Sequence, residues 1–380
     1  MLPSFYQTFL EKYLTPSQLI TLKMLVWLLQ NQKQVKIERL AATLPLPIQH
    51  NSRRRHLQRF LTLKAISVVL LWFPLIQEIL HRQIKPGSQL VLAMDRTQWT
   101  GNNILMVSAI YRSRALPIFW VILDKKGASN LAEQQQLLRP VIRLLKSYKL
   151  ILIGDREFHS IELARWLQTN NISFVFRLPS STTFRPKRRK FQPLKSSSLS
   201  PGERQFYADI NLTQKRGFGK FNLAVYWQRK YRGKQSNEAW QVLTNLSSWA
   251  QATKVYGQRF GIEAMFRDCK TGGYNLSGSQ ANSEKLTRLI FLIALAMTSA
   301  WLHGQRTQSQ RQSDYICRSL QEARTRRRHS AFWIGLYGAN WIVAFHECRI
   351  WVEELIGSVP NKQSFYRQGL KAIKFIEQAL

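Results

Sequence analysis

The sequence of 380 residues predicts an α/β protein in which a mixed β-sheet is flanked by helices. Three observations support this prediction. Short apolar runs bounded by turn residues, with helical segments between the later ones, occupy positions 90–178. Alternating apolar and polar stretches typical of antiparallel strands follow at 179–248. Apolar residues recur at helical spacing over most of 1–85 and 249–380.

The charge of the chain is unusual. It has 56 Lys and Arg against 21 Asp and Glu, which gives a formal net charge of +35. A protein this basic suits a polyanionic partner, and nucleic acid is the leading candidate because Lys and Arg neutralise phosphate. A membrane surface is the alternative. The apolar fraction of 45% excludes a disordered chain. The 12 Trp, 12 Tyr and 20 Phe predict a large packed core, and ribosomal proteins and histones, which are also basic, rarely have so many aromatic residues.

Three features argue against a membrane or secreted protein. The most apolar stretch, Leu289–Leu302, spans fourteen positions. A spanning helix needs about twenty apolar residues, so we expect a buried core helix and no membrane partner. The N-terminal residues include polar and acidic ones and do not form a secretory signal. The three cysteines lie far apart, which predicts neither a zinc knuckle nor a disulfide framework: Cys269, Cys317 and Cys348. We therefore expect a cytoplasmic protein.

Residues 1–85 predict a helical N-terminal DNA-binding domain. Thr15 and Gln18 form a capping box for a helix that reaches about Asn31, and two further helical segments follow. The third segment carries four arginines around an apolar stripe: Arg53, Arg54, Arg55 and Arg59. Three short helices, the last one basic on its outer face, suit a helix-turn-helix reader of DNA. The alternative is a helical cap with a solvated basic face.

Positions 86–178 predict the first part of the core. The order there is three strands, a helix, a strand, a helix and a strand. This order is the layout of a ribonuclease H-like core, a mixed sheet covered by helices. The first strand ends at Asp95 and the fourth runs directly into Asp155. Because these two strands are neighbours in such a sheet, we expect both carboxylates to lie together at one edge.

The remaining sequence divides into three parts. An antiparallel β-rich insertion occupies 179–248, the second part of the core with a well-capped helix occupies 249–305, and a basic helical region occupies 306–380. Two basic runs, Arg185–Lys190 and Arg324–Arg328, either contact phosphate or are simply solvated.

The capped helix of the second core part carries four chemically matched side chains. Tyr256, Arg259, Glu263 and Lys270 stand at offsets of 0, 3, 7 and 14. At about 100° per residue, a regular helix places them on one stripe about 60° wide. A carboxylate between a guanidinium, an ammonium and a phenol suits a phosphate diester bound beside a cation. Glu263 is therefore the candidate third acid of a metal site.

The same four residues spell Y-(2)-R-(3)-E-(6)-K, which resembles the signature of a large group of bacterial insertion-sequence transposases of the DDE type. The segments AMDRTQW around Asp95 and IGDREFHS around Asp155 resemble the first and second aspartate motifs of that family. The resemblance covers roughly Leu90–Leu302 and includes a β-strand insertion within a ribonuclease H-like core. No motif covers 306–380.

The resemblance implies a nucleoid-associated bacterial enzyme that binds the terminal inverted repeats of its element, cuts the DNA and joins it to target DNA. It implies that Asp95, Asp155 and Glu263 bind two Mg²⁺ or Mn²⁺ ions. Clustered carboxylates repel one another, and divalent cations relieve that repulsion in any protein. The implied ligands of the DNA phosphates are Tyr256, Arg259 and Lys270. A homodimer on DNA is expected, since two element ends must be held together.

Several roles have alternatives. Relatives of that family flip a base onto an aromatic side chain of the insertion, for which Trp227 and Trp240 are candidates by location; packing within the insertion is the alternative. His159 is a candidate extra ligand, although a surface or capping role suits it better, and Glu157 is the alternative to Asp155. Two other functions stay open. One is a nuclease of the same fold that joins no strands, and the other is a non-catalytic DNA-binding remnant or repressor.

Overall fold

The computed structural model describes residues 2–380 except 100, 187–189, 197–198, 215–217, 230–237, 271–272, 277–278, 280 and 320–327. The α-helices are α1 Ser4–Leu10, α2 Pro16–Gln32, α3 Ile37–Thr43, α4 His50–Phe60, α5 Phe73–Gln83, α6 Leu131–Leu144, α7 Ile161–Thr169, α8 Trp249–Tyr256, α9 Phe260–Cys269, α10 Ser283–Ser309, α11 Ala331–Glu347, α12 Arg349–Ser358 and α13 Gln363–Ala379. The strands are β1 Gln89–Trp99, β2 Asn102–Tyr111, β3 Arg114–Leu123, β4 Lys149–Gly154, β5 Ser173–Arg177, β6 Thr183–Arg185, β7 Gln192–Pro193, β8 Arg204–Leu212, β9 Phe218–Tyr226 and β10 Trp240–Thr244.

The chain divides into two compact units. The helical unit comprises Met1–Leu75 and Asp268–Leu380, and the sheet unit comprises Ile76–Arg267. The helical unit thus combines the first and last parts of the chain. These two units differ from the five regions predicted from the sequence, and the boundaries of those regions stay predictions.

The helical unit is built around α10. The predicted apolar stretch lies within this helix and is buried over its whole length except Leu302, so the predicted core helix is confirmed. The Tyr6 hydroxyl donates to Thr298 Oγ1 at 2.7 Å, and Gln30 Nε2 donates to the Ala296 carbonyl at 3.0 Å. Within the described residues, α10 alone is long and apolar enough to cross a membrane, but 89% of its most apolar window is buried in the protein. The core helix of a globular unit has this property.

Two glycines allow α10 and α11 to cross closely. A Cβ atom at Gly304 would lie 1.7 Å from the Ala331 carbonyl oxygen, and one at Gly335 would lie 1.7 Å from the Ala300 carbonyl oxygen. Any side chain at either position would therefore collide with the backbone of the other helix. The predicted helical character of 306–380 is confirmed for α11, α12 and α13, and a 3₁₀ turn that begins at Pro360 separates α12 from α13.

The sheet unit contains a single ten-stranded sheet with the order β3-β2-β1-β4-β5-β10-β9-β8-β6-β7. The strands β1, β4 and β5 are parallel to one another, whereas β2 is antiparallel to both of its neighbours, β1 and β3. The predicted mixed sheet flanked by helices is confirmed. The predicted antiparallel insertion is present, and its strand β10 pairs with β5, so the insertion extends the core sheet rather than forming a separate layer.

The first strand is longer than the sequence predicts. The expected strand end at Asp95 is wrong, because β1 continues to Trp99. Its parallel pairing with β4 stops at Met94, but antiparallel pairing with β2 continues from Asp95 to Trp99. The hairpin turn at Gly101, with φ of +82°, supports this extension even though the added residues are mostly polar.

The prediction that one regular helix carries Tyr256, Arg259, Glu263 and Lys270 is also wrong. The chain forms α8, then a 3₁₀ turn at Gly257–Arg259, then α9. Gly257 and Gly261 lower the local helix propensity because they lack a side chain. Gly261 also lies against the first hairpin, where an added Cβ would be 3.3 Å from the Ser113 carbonyl oxygen. The turn therefore brings α9 close to the end of β2.

Candidate active site

Asp95 and Asp155 lie on neighbouring parallel strands. The last parallel pair of β1 and β4 is Met94 with Gly154, so the two aspartates occupy the next position on each strand. Asp95 Oδ1 accepts a hydrogen bond from the Arg96 backbone N–H at 2.7 Å, and Asp155 Oδ1 accepts one from the Glu157 N–H at 2.8 Å. The structure thus brings together the first two predicted acids at one edge of the sheet.

The surroundings of Asp95 disfavour its ionised form. Burial raises the pKa of this carboxyl to about 7, and the negative charges of Asp155 and Glu263 act in the same direction. The Arg96 N–H and the Arg259 guanidinium partly oppose them. Asp155 and Glu263 therefore both lie within electrostatic range of Asp95. A bound cation would relieve their repulsion.

Arg259 is the cation that the structure places among these acids. Its Nη2 lies 2.6 Å from Glu263 Oε1, and its Nη1 lies 3.9 Å from Asp95 Oδ2. Among the described residues, no three His, Cys, Asp or Glu side chains are arranged to hold a metal ion. Glu263 is instead turned to the guanidinium, with 42% of its side chain exposed. To act as the third metal ligand it would have to leave Arg259.

Tyr256 and Arg259 carry polar groups that are buried and available. Neither the Tyr256 hydroxyl nor Arg259 Nε makes a hydrogen bond of ordinary geometry within the described part of the chain. Burial raises the pKa of the Tyr256 phenol, and the neighbouring Arg259 opposes that shift. Because both groups can donate a hydrogen bond, together they suit an anionic ligand such as a phosphate oxygen.

Lys270 directly follows the last residue of α9 and belongs to the helical unit. Partial burial lowers the pKa of its ammonium group. Its predicted place on one stripe with Tyr256 and Glu263 rested on a regular helix, which the 3₁₀ turn interrupts. The phosphate-binding role of Lys270 stays a prediction.

A network of ordinary polar residues connects the two aspartate motifs. Arg96 Nε donates to Glu157 Oε2 at 2.7 Å, and the other oxygen of Glu157 accepts from the Ser129 N–H and hydroxyl, each at 3.0 Å. Arg96 Nη1 also donates to Asn103 Oδ1 at 3.0 Å. Both oxygens of Glu157 are thus engaged, which disfavours it as the alternative to Asp155. This pairing was not predicted from the sequence, although Arg96 follows the first motif acid and Glu157 follows the second by two positions.

His159 is exposed, and its Nδ1 contacts the carbonyl oxygen of Arg156. This position agrees with the surface role rather than with an extra metal ligand. The two candidate stacking residues lie in the insertion: Trp227 directly after β9 and Trp240 at the start of β10. Both are half-buried.

Trp240 packs in an aromatic cluster that reaches the candidate active site. Its ring lies edge-on to Tyr226 and Tyr256, with centroids 6.3 and 5.0 Å away, and 6.4 Å from the centroid of Phe260. Phe260 is 52% exposed, and within the described residues of the sheet unit no other large hydrophobic side chain is as exposed. It follows Arg259, whose guanidinium carbon is 5.5 Å from its ring centroid. Phe260 was not predicted as a site residue, because an aromatic residue in a helix usually indicates core packing.

The N-terminal arginines lie on α4 of the helical unit. Arg55 and Arg59 are exposed, whereas Arg53 is half-buried and its Nε has no hydrogen-bond partner in the described part of the chain. Arg54 forms an ion pair with Glu38 of α3. The central residues of one basic run, 187–189, and most of the other, 324–327, lie outside the described residues.

Comparisons with known proteins place the chain in a family. No curated protein matches it significantly. Among solved structures it is similar to one from a cryo-EM structure of a piggyBac transposase synaptic complex with hairpin DNA. The TM-score is 0.45 and the identity 15%, over 86% of this chain and 71% of that chain. At these values the likeness carries no conclusion about activity. The transposase DDE domain family matches residues 87–299, which is more than half of the chain and includes all three candidate acids. The protein therefore belongs to the family of transposases with a DDE domain.

Proposed function

We propose that the protein is an insertion-sequence transposase that binds the terminal inverted repeats of its element, cuts the DNA there and joins it to a target. The observation that carries this proposal is the closeness of Asp95, on β1, to Asp155, directly after the neighbouring parallel strand β4, with Glu263 within electrostatic range of Asp95. The order of the first five strands supports the further proposal of a ribonuclease H-like core. The double-stranded DNA partners and a homodimer on DNA belong to the same proposal.

The residues fit two Mg²⁺ or Mn²⁺ ions. Carboxylate oxygens are the ligands that these hard cations prefer. Burial and the nearby charges of Asp155 and Glu263 raise the pKa of Asp95, and a positive ion bound there would offset both effects. Asp95, Asp155 and Glu263 would hold the ions. When bound, such ions activate water or a 3′-hydroxyl and stabilise the leaving oxygen of an in-line displacement.

Arg259 has two alternative partners in this proposal. In the structure its guanidinium lies beside Glu263 and Asp95. With DNA bound, its guanidinium and the Tyr256 hydroxyl would donate to a phosphate oxygen, assisted by Lys270. Glu263 would then be free to bind metal. DNA binding and metal binding therefore favour each other, and this coupling is reciprocal.

Arg96 and Glu157 would position the first two acids. Their ion pair connects the residue after Asp95 to the 3₁₀ turn after Asp155, and both side chains are largely buried, with 21% and 13% exposed. Side chains that hold metal ligands in this way orient the ligands, and their loss commonly lowers metal affinity or activity.

Phe260 is a further candidate for stacking on an unpaired base, beside Trp227 and Trp240. Its exposed ring lies next to the proposed phosphate ligand Arg259. Trp240, which packs against Tyr226, Tyr256 and Phe260, would hold the Phe260 ring in place. A stacked base contributes about 1–3 kcal/mol.

The test uses purified protein and a labelled duplex that carries one end of its element with flanking DNA, in Mg²⁺ or in EDTA. Metal-dependent cutting at the element boundary, followed by joining to a target plasmid, is expected from the wild type. Asp95→Asn and Glu263→Gln should bind the duplex without cutting it. Cutting without joining would indicate a nuclease, and binding without cutting by the wild type would indicate a repressor or remnant; either would overturn the proposal.

A further inference from the structure

A cleft of about 360 Å³ lies within the helical unit. It is lined by the start of α3, by α4 and by the segment that leads into α10. Each of these three stretches contributes one cation: Lys36, Arg54 and Lys285. Residues far apart in the sequence thus converge on one concave surface.

The lining of the cleft is positive and polar. Glu38 is the one carboxylate among its described lining residues, and it is paired with Arg54, whose Nε lies 2.5 Å from Glu38 Oε1. Gln58 and Asn282 add side-chain amides. Three cations against one carboxylate leave a net positive charge, which suits an oxyanion better than an apolar or cationic ligand.

Helix α4 presents two different basic faces. Arg54 and Gln58, four residues apart, face the cleft, whereas Arg55 and Arg59 are exposed. The residues Leu57 and Phe60 of the same helix are buried. Arg54 of α4 thus lies in the same cleft as Lys36 and Lys285, which come from two other segments. A purely solvated basic face does not explain this grouping.

We propose that this cleft binds the phosphate backbone of duplex DNA, with Lys36, Arg54 and Lys285 as the contacting cations. The inference rests on the proposed function, because that function supplies DNA as the partner. Phosphate contacts position a protein on DNA and carry no sequence information themselves. Glu38 competes with the phosphate for Arg54, so it weakens binding.

The test measures the affinity for a labelled duplex over a range of salt concentrations, in EDTA so that no cutting occurs. Lys36→Ala and Lys285→Ala should each weaken binding several-fold and lower the slope of log K against log salt by about 0.9, the value for one lost phosphate contact. The loss should be equal on an element end and on an unrelated duplex. Glu38→Gln should tighten binding.

Lys64→Ala and Glu11→Gln are matched controls. Both residues are exposed, lie in the helical unit outside the cleft lining, and undergo the same charge changes. Cleft variants that alter affinity and salt slope no more than these controls, at unchanged thermal stability, would overturn the proposal. A second result would also overturn it: inorganic phosphate stabilises the wild type but not Lys36→Ala, while the two proteins bind DNA equally well. The cleft would then be a site for free phosphate. A wild type that binds DNA but never cuts it contradicts the proposed function and leaves this inference intact.

Discussion

Two arginine–glutamate ion pairs, one in each compact unit, have similar distances but differ in their exposure and in the charges around them. Arg259 and Glu263 lie 2.6 Å apart, and the arginine side chain is only 13% exposed and also faces Asp95. Arg54 and Glu38 lie 2.5 Å apart, with side chains 41% and 50% exposed and no second carboxylate in the cleft lining. The distances are nearly equal, yet the first pair lies beside the largely buried Asp95, whereas the second is exposed and shares its cleft with two further cations, Lys36 and Lys285.

The difference teaches which charge is in excess at each site. At the candidate active site the acids outnumber the cations, so the missing partner is a cation. In the cleft the cations outnumber the acid, so the missing partner is an anion. An exposed ion pair contributes about 0–1 kcal/mol to stability, whereas a partly buried one decides the charge state of its neighbours.

The largest expected effect comes from Asp95→Asn, which removes the buried charge. Cutting should fall to background. In EDTA at pH 8, the variant should be more stable than the wild type by about 1–3 kcal/mol, since the raised pKa of Asp95 reflects a cost of ionising it in the folded state. A raised carboxyl pKa means that stability is lost as the pH rises through about 7. The gain should therefore shrink towards pH 4.

Urea unfolding at pH 8 and pH 4 measures this gain. Asp124→Asn, at an exposed position after β3, is the control and should change neither stability nor cutting. An Asp95→Asn variant that is less stable than the wild type at pH 8 would mean that Asp95 is not under charge repulsion.

The next effect concerns the Arg96–Glu157 pair. Glu157→Gln should lower the cutting rate about 10–100-fold and raise the Mn²⁺ concentration needed for half-maximal rate, because a positioning partner of metal ligands is weakened. The control is Glu78→Gln, which removes an exposed pair with Arg82 on α5 and should leave both quantities unchanged. If the two variants have equal effects, the Arg96–Glu157 pair does not position the metal ligands.

Metal binding should depend on pH through Asp95. Since its pKa is raised to about 7 by burial, a proton competes with the ion below that pH. We expect the affinity for Mn²⁺ to fall about tenfold for each pH unit below 7 and to level off above it. Calorimetric titration at pH 6, 7 and 8 measures this dependence. An affinity that stays constant from pH 6 to 8 would contradict it.

The two arginines can be compared directly. Arg259→Ala should increase the affinity for Mn²⁺ in the absence of DNA, about tenfold, because Glu263 loses its competing partner. Arg54→Ala should leave Mn²⁺ affinity unchanged and weaken DNA binding instead. If Arg259→Ala binds Mn²⁺ less well than the wild type, Arg259 helps the site to bind the ion and does not compete with it for Glu263.

The smallest effect is expected from Phe260→Ala. Its loss should weaken binding to a duplex with an unpaired base at the cleavage position by about 1 kcal/mol, with thermal stability unchanged because the ring is half exposed. Trp240→Ala should reduce thermal stability, since its ring packs against three others. If the wild type and Phe260→Ala bind the duplex with the unpaired base equally well, Phe260 does not stack on that base.

Much of the fold was predictable because it depends on short-range patterns. The capping box of Thr15 and Gln18, the three strands before α6, and the apolar face of α10 all follow from periodicity and local hydrogen bonding. The order of strands also predicted that Asp95 and Asp155 lie on neighbours. The end of β1 and the 3₁₀ turn before α9 were mispredicted, because they depend on pairing with β2 and on packing against it.

The sequence by itself determined the residue types of the candidate site, their order, and the excess of positive charge. Tertiary structure alone decided which charges meet: Arg259 with Glu263, Arg96 with Glu157, and Lys36 with Arg54 and Lys285 in one cleft. The physical reason is range. Periodicity and turn chemistry act over a few residues, whereas ion pairing and burial depend on strand register and helix packing between segments that are distant in the chain.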